Sequence, residues 1–153
     1  MEQLQFHTNS PAETEGVGAM LAQRLQNEAD LPPYIALYGD LGVGKTAFVR
    51  GFVGEISPNA LVRSPTFALV NEYRGGARTV FHFDMYRVTD EEDLYSIGYD
   101  DYLTAGGICL VEWSENIPYA LPRERLEVII EKSDPHVPDA RTIRIARKGE
   151  PKC

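Results

Sequence analysis

The segment from Gly39 to Thr46 limits the possible folds more than any other part of this 153-residue chain. It matches G-x-x-x-x-G-K-[ST] at every position, with the residues Gly39, Asp40, Leu41, Gly42, Val43, Gly44, Lys45 and Thr46. Such a pattern predicts a phosphate-binding loop only when a buried strand precedes it and a helix follows it. The apolar run 34–38 predicts the strand, and apolar residues at helical spacing predict a helix from about Lys45 to Ile56. The sequence therefore predicts an α/β fold with a P-loop.

Each residue type in this loop has a physical role toward a phosphate. Glycines let the backbone turn with positive φ and approach a ligand closely. Loop N–H groups and the N-terminus of the following helix direct partial positive charge at an anion. Lys45 adds a full charge for the β- and γ-phosphates, and the hydroxyl of Thr46 can complete the shell of Mg²⁺. The motif indicates binding of a nucleoside triphosphate and does not by itself identify the base or the fate of the γ-phosphate.

The remaining pattern places the loop in a mixed sheet. Strands alternate with helices early in the chain and adjoin one another later, which favours a three-layer P-loop NTPase-like α/β sandwich with a sheet part parallel and part antiparallel. We expect one domain over residues 1–153. Predicted strands are Leu4–Phe6, 34–38, Phe67–Tyr73, Thr79–Phe83, Ile108–Glu112, Leu126–Glu131 and Thr142–Ala146, with a hairpin turn at Gly75-Gly76.

Two further helix starts stand out. Ser10 can cap a helix that has Pro11 at its first position, and Glu13 would complete a capping box. A second helix is predicted to begin at Thr89-Asp90 and to stop at Gly98.

Composition narrows the choice of partners. The net charge is −8, and an acidic surface repels polyphosphate, so we do not expect this domain to grip nucleic acid by itself. We interpret the basic residues near the C-terminus as a solvated strand face and tail, with a local phosphate or partner contact as the alternative; they are Arg141, Arg144, Arg147, Lys148 and Lys152. No apolar run reaches the roughly 20 residues of a membrane span. Two cysteines, Cys109 and Cys153, and an N-terminus without signal-peptide character fit a cytoplasmic protein.

Carboxylates stand at the ends of two predicted strands. Asp84 follows the strand Thr79–Phe83, and Glu112 ends the run Ile108–Glu112. Ligands collect at the carboxyl ends of strands in α/β sheets, and a P-loop site needs a carboxylate close to its metal. Either side chain can bind Mg²⁺ directly or through water, and either can orient the attacking water.

Other residues near these positions have more than one interpretation. A hydroxyl of the Ser64-Pro65-Thr66 segment can sense the γ-phosphate, as switch threonines do, or the segment merely starts a strand. Trp113 is interpreted as a packing residue, with a partner contact as the alternative. His82 alternates with Phe81 and Phe83, which favours a strand residue over a ligand.

Several classes of nucleotide-binding protein are distinguished by motifs. The sequence has no N-K-x-D guanine-binding motif and no Leu-Ser-Gly-Gly-Gln signature of ABC-type ATPases. A small-molecule kinase remains an alternative, with Arg123-Glu124-Arg125 as the candidate lid segment. A nucleotide-dependent binding module with negligible chemistry is the third possibility.

Four segments together resemble the bacterial TsaE family, the ATPase of tRNA threonylcarbamoyladenosine biosynthesis. They are residues 37–46, Ser64-Pro65-Thr66, His82-Phe83-Asp84-Met85-Tyr86-Arg87 and Leu110-Val111-Glu112-Trp113. Their order and spacing agree over about residues 10–131.

The resemblance implies a set of functional expectations. The chain would bind ATP with Mg²⁺ and hydrolyse it while docked to the TsaD–TsaB pair, which forms N6-threonylcarbamoyladenosine at position 37 of tRNA. It would reach tRNA only through those partners and would not contact a membrane. Residues implied as catalytic are Lys45, Thr66, Asp84 and Glu112, those implied at the metal are Thr46 and Glu112, and those implied to border the adenine are Pro11 and His136.

Overall fold

Seven strands form one sheet, and the strand that precedes the phosphate loop lies at its centre. The computed structural model describes residues 1, 3–40, 42–63, 65 and 69–149. The strands are β1 (Leu4–Thr8), β2 (Tyr34–Tyr38), β3 (Val70–Tyr73), β4 (Val80–Asp84), β5 (Ile108–Glu112), β6 (Arg125–Lys132) and β7 (Arg141–Lys148). The helices are α1 (Pro11–Asn27), α2 (Lys45–Ile56), α3 (Glu91–Ser96) and α4 (Tyr99–Leu103), with 3-10 turns at Ser114–Asn116 and Pro118–Ala120.

The strand order is β1-β7-β6-β2-β5-β4-β3. β2 runs parallel to both of its neighbours, β5 and β6, and β4 runs parallel to β5. The pairs β3–β4, β6–β7 and β1–β7 are antiparallel. This order confirms the predicted mixed sheet and brings the carboxyl ends of β2, β4 and β5 to one edge.

Helices cover both faces of the sheet, which confirms the three-layer prediction. Ile35 and Leu37 of β2 belong to the core formed with α1 and α2. Tyr34 and Ala36 belong to the opposite core, which includes Leu94 and Tyr99 of α3 and α4. Because β2 is buried on both faces, its sequence is a continuous apolar run rather than an alternating one.

The phosphate-loop helix is fixed by close packing against α1. A side chain at Gly18 of α1 would overlap the backbone of Phe48, and one at Gly51 of α2 would overlap the backbone of Glu15. The absence of side chains at these two positions lets the helices approach closely. The start of α1 is capped as predicted, since Ser10 Oγ accepts the N–H of Glu13; the Glu13 carboxylate accepts from Asn9 N, one residue earlier than a capping box requires.

Some boundaries differ from the predictions. Leu69 has a left-handed backbone with φ 59°, so the described part of β3 begins at Val70; Phe67 and Ala68 lie outside the described residues. The sequence pattern missed α4, because Gly98, predicted as a helix stop, is also the residue from which this five-residue helix starts, with φ 72°. β3 and β4 form the predicted hairpin, joined by residues 74–79.

No helix among the described residues has the length and apolar character needed to cross a bilayer.

Candidate functional site

The phosphate loop connects the end of β2 to the start of α2, as predicted. Three of its glycines have positive φ: Gly39 at 148°, Gly42 at 78° and Gly44 at 105°. A Cβ on Gly39 would lie 2.7 Å from the carbonyl oxygen of Ile130, whereas the space around Gly42 is open. The loop therefore needs glycine for its backbone and leaves room beside Gly42. Leu41 lies outside the described residues.

Lys45 is buried at the start of α2, with a residue exposure of 5%. Its Nζ donates to the carbonyl oxygen of Gly39 at 2.5 Å and lies 3.7 Å from the ring centroid of Trp113. Burial lowers the pKa of Lys45, and the surrounding carboxylates oppose that shift; they belong to Glu112, Glu115, Asp84 and Asp40. The ammonium group is thus held between the loop and a group of acidic side chains.

Thr46 follows Lys45 in the first turn of α2 and is exposed. The first N–H groups of a helix have no partner within the helix, so this end of α2 attracts anions. The exposed hydroxyl side chain at the same end is available to a metal ion that accompanies a phosphate.

Asp84 and Glu112 are the last residues of β4 and β5 and pair directly across the two parallel strands. The Asp84 carboxylate accepts from the N–H of Tyr86 at 2.9 Å. Burial is the main cause that raises the pKa of Asp84; the neighbouring Glu112 carboxylate adds to the rise, and the Tyr86 N–H opposes it. Two carboxylates held side by side favour a cation between or next to them.

His82 and Glu112 form a buried hydrogen bond that sequence reasoning missed. The distance from His82 Nε2 to Glu112 Oε2 is 2.5 Å, and the two residues are 1% and 5% exposed. Among the described residues, Glu112 Oε1 makes no hydrogen bond and the buried Nδ1 of His82 has no partner. His82 is a strand residue, as predicted, and it also fixes one carboxylate oxygen. The alternation of His82 and Asp84 with Phe81 and Phe83 was the available signal, because it puts both polar side chains on one face.

Arg141 contacts the phosphate loop directly, so its interpretation as part of a solvated strand face is wrong. Its Nε donates to the carbonyl oxygen of Val43 at 2.6 Å, and its Nη2 donates to that of Gly42 at 3.3 Å. Nη1 donates to the carbonyl oxygens of Pro138 and Ala140 at 2.6 and 2.9 Å. No local sequence pattern indicates this contact, because it joins residues 98 positions apart.

The two segments expected to border the adenine both lie beside the loop. Pro11 is exposed and is the first residue of α1. Thr14, one turn further along that helix, lies close to the loop, because a Cβ placed on Gly44 would be 3.9 Å from its side chain. His136 is exposed in the 133–140 segment, whose carbonyl groups Arg141 binds. Contact of either residue with a base stays a prediction. Thr66 and Ser64 lie outside the described residues.

The donor set suits a magnesium ion that keeps phosphate and water ligands. Among the described residues, no three side chains of His, Cys, Asp or Glu gather in a group that could hold a metal. Mg²⁺ is bound in many nucleotide sites by one or two protein oxygens, with phosphates completing the shell. The hydroxyl of Thr46 with one of the two carboxylates, Asp84 or Glu112, would supply protein oxygens of that type and number.

The arginine-bearing segment that a small-molecule kinase would use as a lid lies away from the phosphate loop. Arg125 begins β6, which runs parallel to β2, so Arg125 lies at the end of the sheet opposite the phosphate loop. Its guanidinium binds the Glu127 carboxylate and the carbonyl oxygen of Pro122. The segment Arg123–Arg125 therefore does not cover the loop.

Comparison with known proteins assigns the chain to a family. Residues 8–143 match the model of the family described as "Threonylcarbamoyl adenosine biosynthesis protein TsaE". The tRNA threonylcarbamoyladenosine biosynthesis protein TsaE of Bacillus subtilis is 38% identical over 133 residues, covering 87% of this chain and 80% of that protein. The protein of the same name from Haemophilus influenzae is 39% identical over 127 residues, covering 83% and 77%.

A solved structure agrees with these sequence matches. The crystal structure of Bacillus subtilis YdiB superposes with a TM-score of 0.75 at 32% identity, covering 97% of this chain and 87% of that one. The sequence resemblance is thereby confirmed, and the chain belongs to the TsaE family.

Proposed function

We propose that this chain binds ATP with Mg²⁺ at residues 39–46 and hydrolyses it in support of the formation of N6-threonylcarbamoyladenosine on tRNA. The proposal rests on one observation, which is that Lys45 lies near the carboxylates of Asp84 and Glu112. A cationic side chain at a glycine loop and a pair of carboxylates at neighbouring strand ends come together at one edge of the sheet. That combination serves a triphosphate and its metal ion, whereas either half alone would not.

Each side chain has a defined task in this reaction. The loop N–H groups and Lys45 bind the phosphates, and Lys45 leaves the carbonyl oxygen of Gly39 to do so. Thr46 and one of the two carboxylates would hold the ion, which would neutralise charge on the phosphate when bound. Glu112, fixed at Oε2 by His82, presents Oε1 to orient the attacking water.

Hydrolysis by the isolated chain is expected to be slow. An arginine that reaches the γ-phosphate accelerates many P-loop enzymes by about 10³–10⁵. Arg141, which contacts the loop, donates to four backbone carbonyl oxygens, so its donors are already engaged. A partner would therefore raise the rate by supplying charge or by ordering the site.

The family membership supports TsaD and TsaB as those partners and position 37 of tRNA as the place of modification. A net charge of −8 agrees with a chain that reaches tRNA through its partners rather than by its own surface.

The test measures phosphate release by the purified chain with and without TsaD–TsaB, with Glu112→Gln as the control that is expected to lose hydrolysis. We expect a low basal rate that rises when the partners are added. Rapid hydrolysis without any response to the partners would contradict the proposal. Transfer of labelled γ-phosphate to a metabolite would replace it with the kinase alternative, and nucleotide binding without hydrolysis in either condition would favour the binding module.

A further inference from the structure

Arg141 begins β7 at a point where the sheet fixes its backbone. It pairs with Thr8 of β1 on one side and with Lys132 of β6 on the other. Thr8 is tied in turn to α1, because its hydroxyl lies 2.8 Å from the hydroxyl of Thr14 in a buried pair. The base of the Arg141 side chain is therefore held by three elements that do not belong to the phosphate loop.

The guanidinium joins two separate segments. On one side it donates to Val43 and Gly42 of the phosphate loop, at 2.6 and 3.3 Å. On the other it donates to Pro138 and Ala140, at 2.6 and 2.9 Å. The planar fork of an arginine suits this task, because its donors point in fixed directions. A lysine offers a single ammonium group and cannot reproduce this geometry.

The contact with Val43 also sets the direction of a phosphate-binding N–H group. The peptide between Val43 and Gly44 is trans and planar, so its C=O and N–H point in opposite directions. Since the carbonyl of Val43 points at Arg141, the N–H of Gly44 points away from Arg141. Donation by a cation to the carbonyl also polarises the peptide and strengthens its N–H as a donor.

Without such a contact, the part of the loop from Gly42 to Gly44 would adopt other arrangements more readily. Gly42 and Gly44 both have positive φ, and glycine populates negative φ about as readily. A free loop would lose conformational entropy on binding, which weakens affinity. Arg141 removes that loss before the ligand arrives.

We propose that Arg141 is a positioning residue that holds the phosphate loop and the 133–140 segment in one arrangement, so that the triphosphate and the base are bound together. This inference rests on the proposed function, which assigns ATP to the loop, and on the prediction that His136 of the 133–140 segment borders the adenine. Arg141 acts through the backbone of both segments.

Calorimetry with Mg²⁺ and two ligands, ATP and inorganic triphosphate, tests the inference. The variants are Arg141→Gln and Arg141→Lys, and the control is Arg144→Gln, which removes a surface arginine of the same strand that pairs with Glu131. We expect Arg141→Gln to weaken the binding of ATP about tenfold or more. The binding of inorganic triphosphate should weaken by a smaller factor, because it has no base that could lose a contact with the 133–140 segment. Arg141→Lys should lose most of the same affinity, and Arg144→Gln should change it less than about twofold.

The turnover of bound ATP separates positioning from general damage to the fold. Among the described residues, Arg141 bonds to backbone carbonyl oxygens and to none of the side chains of Thr46, Asp84 and Glu112, so KM should rise while kcat stays within about twofold. Circular dichroism checks that each variant is folded. If Arg141→Gln does not fold, Arg141→Lys, which keeps the charge, provides the measurement.

The outcomes are distinguishable. If the wild-type chain binds ATP and the Arg141 variants bind it equally well, the inference is wrong and the proposed function stands. Equal losses for ATP and inorganic triphosphate overturn the assignment of the base to the 133–140 segment and leave Arg141 as a residue that positions the phosphate loop alone. A wild-type chain that binds no ATP with Mg²⁺ contradicts the proposed function itself.

Discussion

The phosphate loop and the pair of carboxylates share one edge of the sheet but are built in different ways. The loop is positioned by its backbone, with cationic side chains of Lys45 and Arg141 donating to its carbonyl oxygens. The carboxylates Asp84 and Glu112 are side chains on adjacent strands, and a buried histidine holds one of them. This difference predicts a division of roles. The loop residues determine the affinity for ATP, and the carboxylates determine the rate of hydrolysis.

The largest expected effect is on the carboxylate side, at Glu112. Glu112→Gln keeps the shape but removes the charge that orients water, so single-turnover hydrolysis should fall by about 10²-fold or more while ATP affinity changes little. Glu92→Gln is the control, because Glu92 is an exposed carboxylate of α3 that has no assigned part in the site. Unchanged hydrolysis in Glu112→Gln would remove Glu112 from the chemistry and would break the proposed division.

The next effect is on the loop side, at Lys45. Lys45→Ala removes a charge-assisted contact worth about 1.5–3 kcal/mol, so ATP affinity measured by calorimetry should fall about 10- to 100-fold. The exposed Lys132 provides the control through Lys132→Ala. Wild-type affinity in Lys45→Ala would show that the loop does not bind the phosphates in the expected way.

His82 tests whether the buried histidine acts through Glu112. We expect His82→Phe to lower hydrolysis about tenfold with little loss of ATP affinity, because Glu112 loses the partner of its Oε2. His82→Gln, which keeps a donor, should restore part of the rate. In the background of Glu112→Gln, His82→Phe should cause little further loss; a full additional tenfold loss would mean that the two residues act independently.

The smallest expected effect concerns stability at Asp84. Because the pKa of Asp84 is raised in the folded chain, its ionised form is disfavoured there, and the resulting destabilisation is present at neutral pH and absent below the ordinary pKa of 3.8. Asp84→Asn should therefore raise Tm at pH 7 without nucleotide or metal, by on the order of 1–2 °C for a half-exposed group.

The control for this measurement is Asp139→Asn at an exposed position. The gain in Tm from Asp84→Asn should disappear as the pH falls toward 3.8. A gain that persists at acid pH would assign it to a cause other than ionisation.

The sequence was informative where a local pattern fixes the geometry. The glycine spacing predicted the loop, and the continuous apolar run predicted that β2 is buried on both faces. The positions of Asp84 and Glu112 at strand ends predicted that each lies at the edge where ligands collect, and the parallel pairing of β4 with β5 places them side by side.

Contacts between distant segments could not be read from the sequence. The contact of Arg141 with Val43 depends on a sheet order that brings β7 close to the end of β2, and no local pattern records that order. The bond between His82 and Glu112 depends on the register of β4 and β5, in which His82 pairs with Leu110. The switch role of Thr66 and the adenine contacts of Pro11 and His136 stay predictions.

Trp113 can report nucleotide binding through its fluorescence, because its ring lies beside Lys45 at the phosphate loop. It is the one tryptophan of the sequence, and its ring lies against the ammonium of Lys45 and 4.9 Å from the ring of Tyr86. A ligand that draws Lys45 away would alter the surroundings of the indole, while no second indole would dilute the signal. Intrinsic fluorescence of the unlabelled chain should therefore follow the arrival and departure of nucleotide in real time.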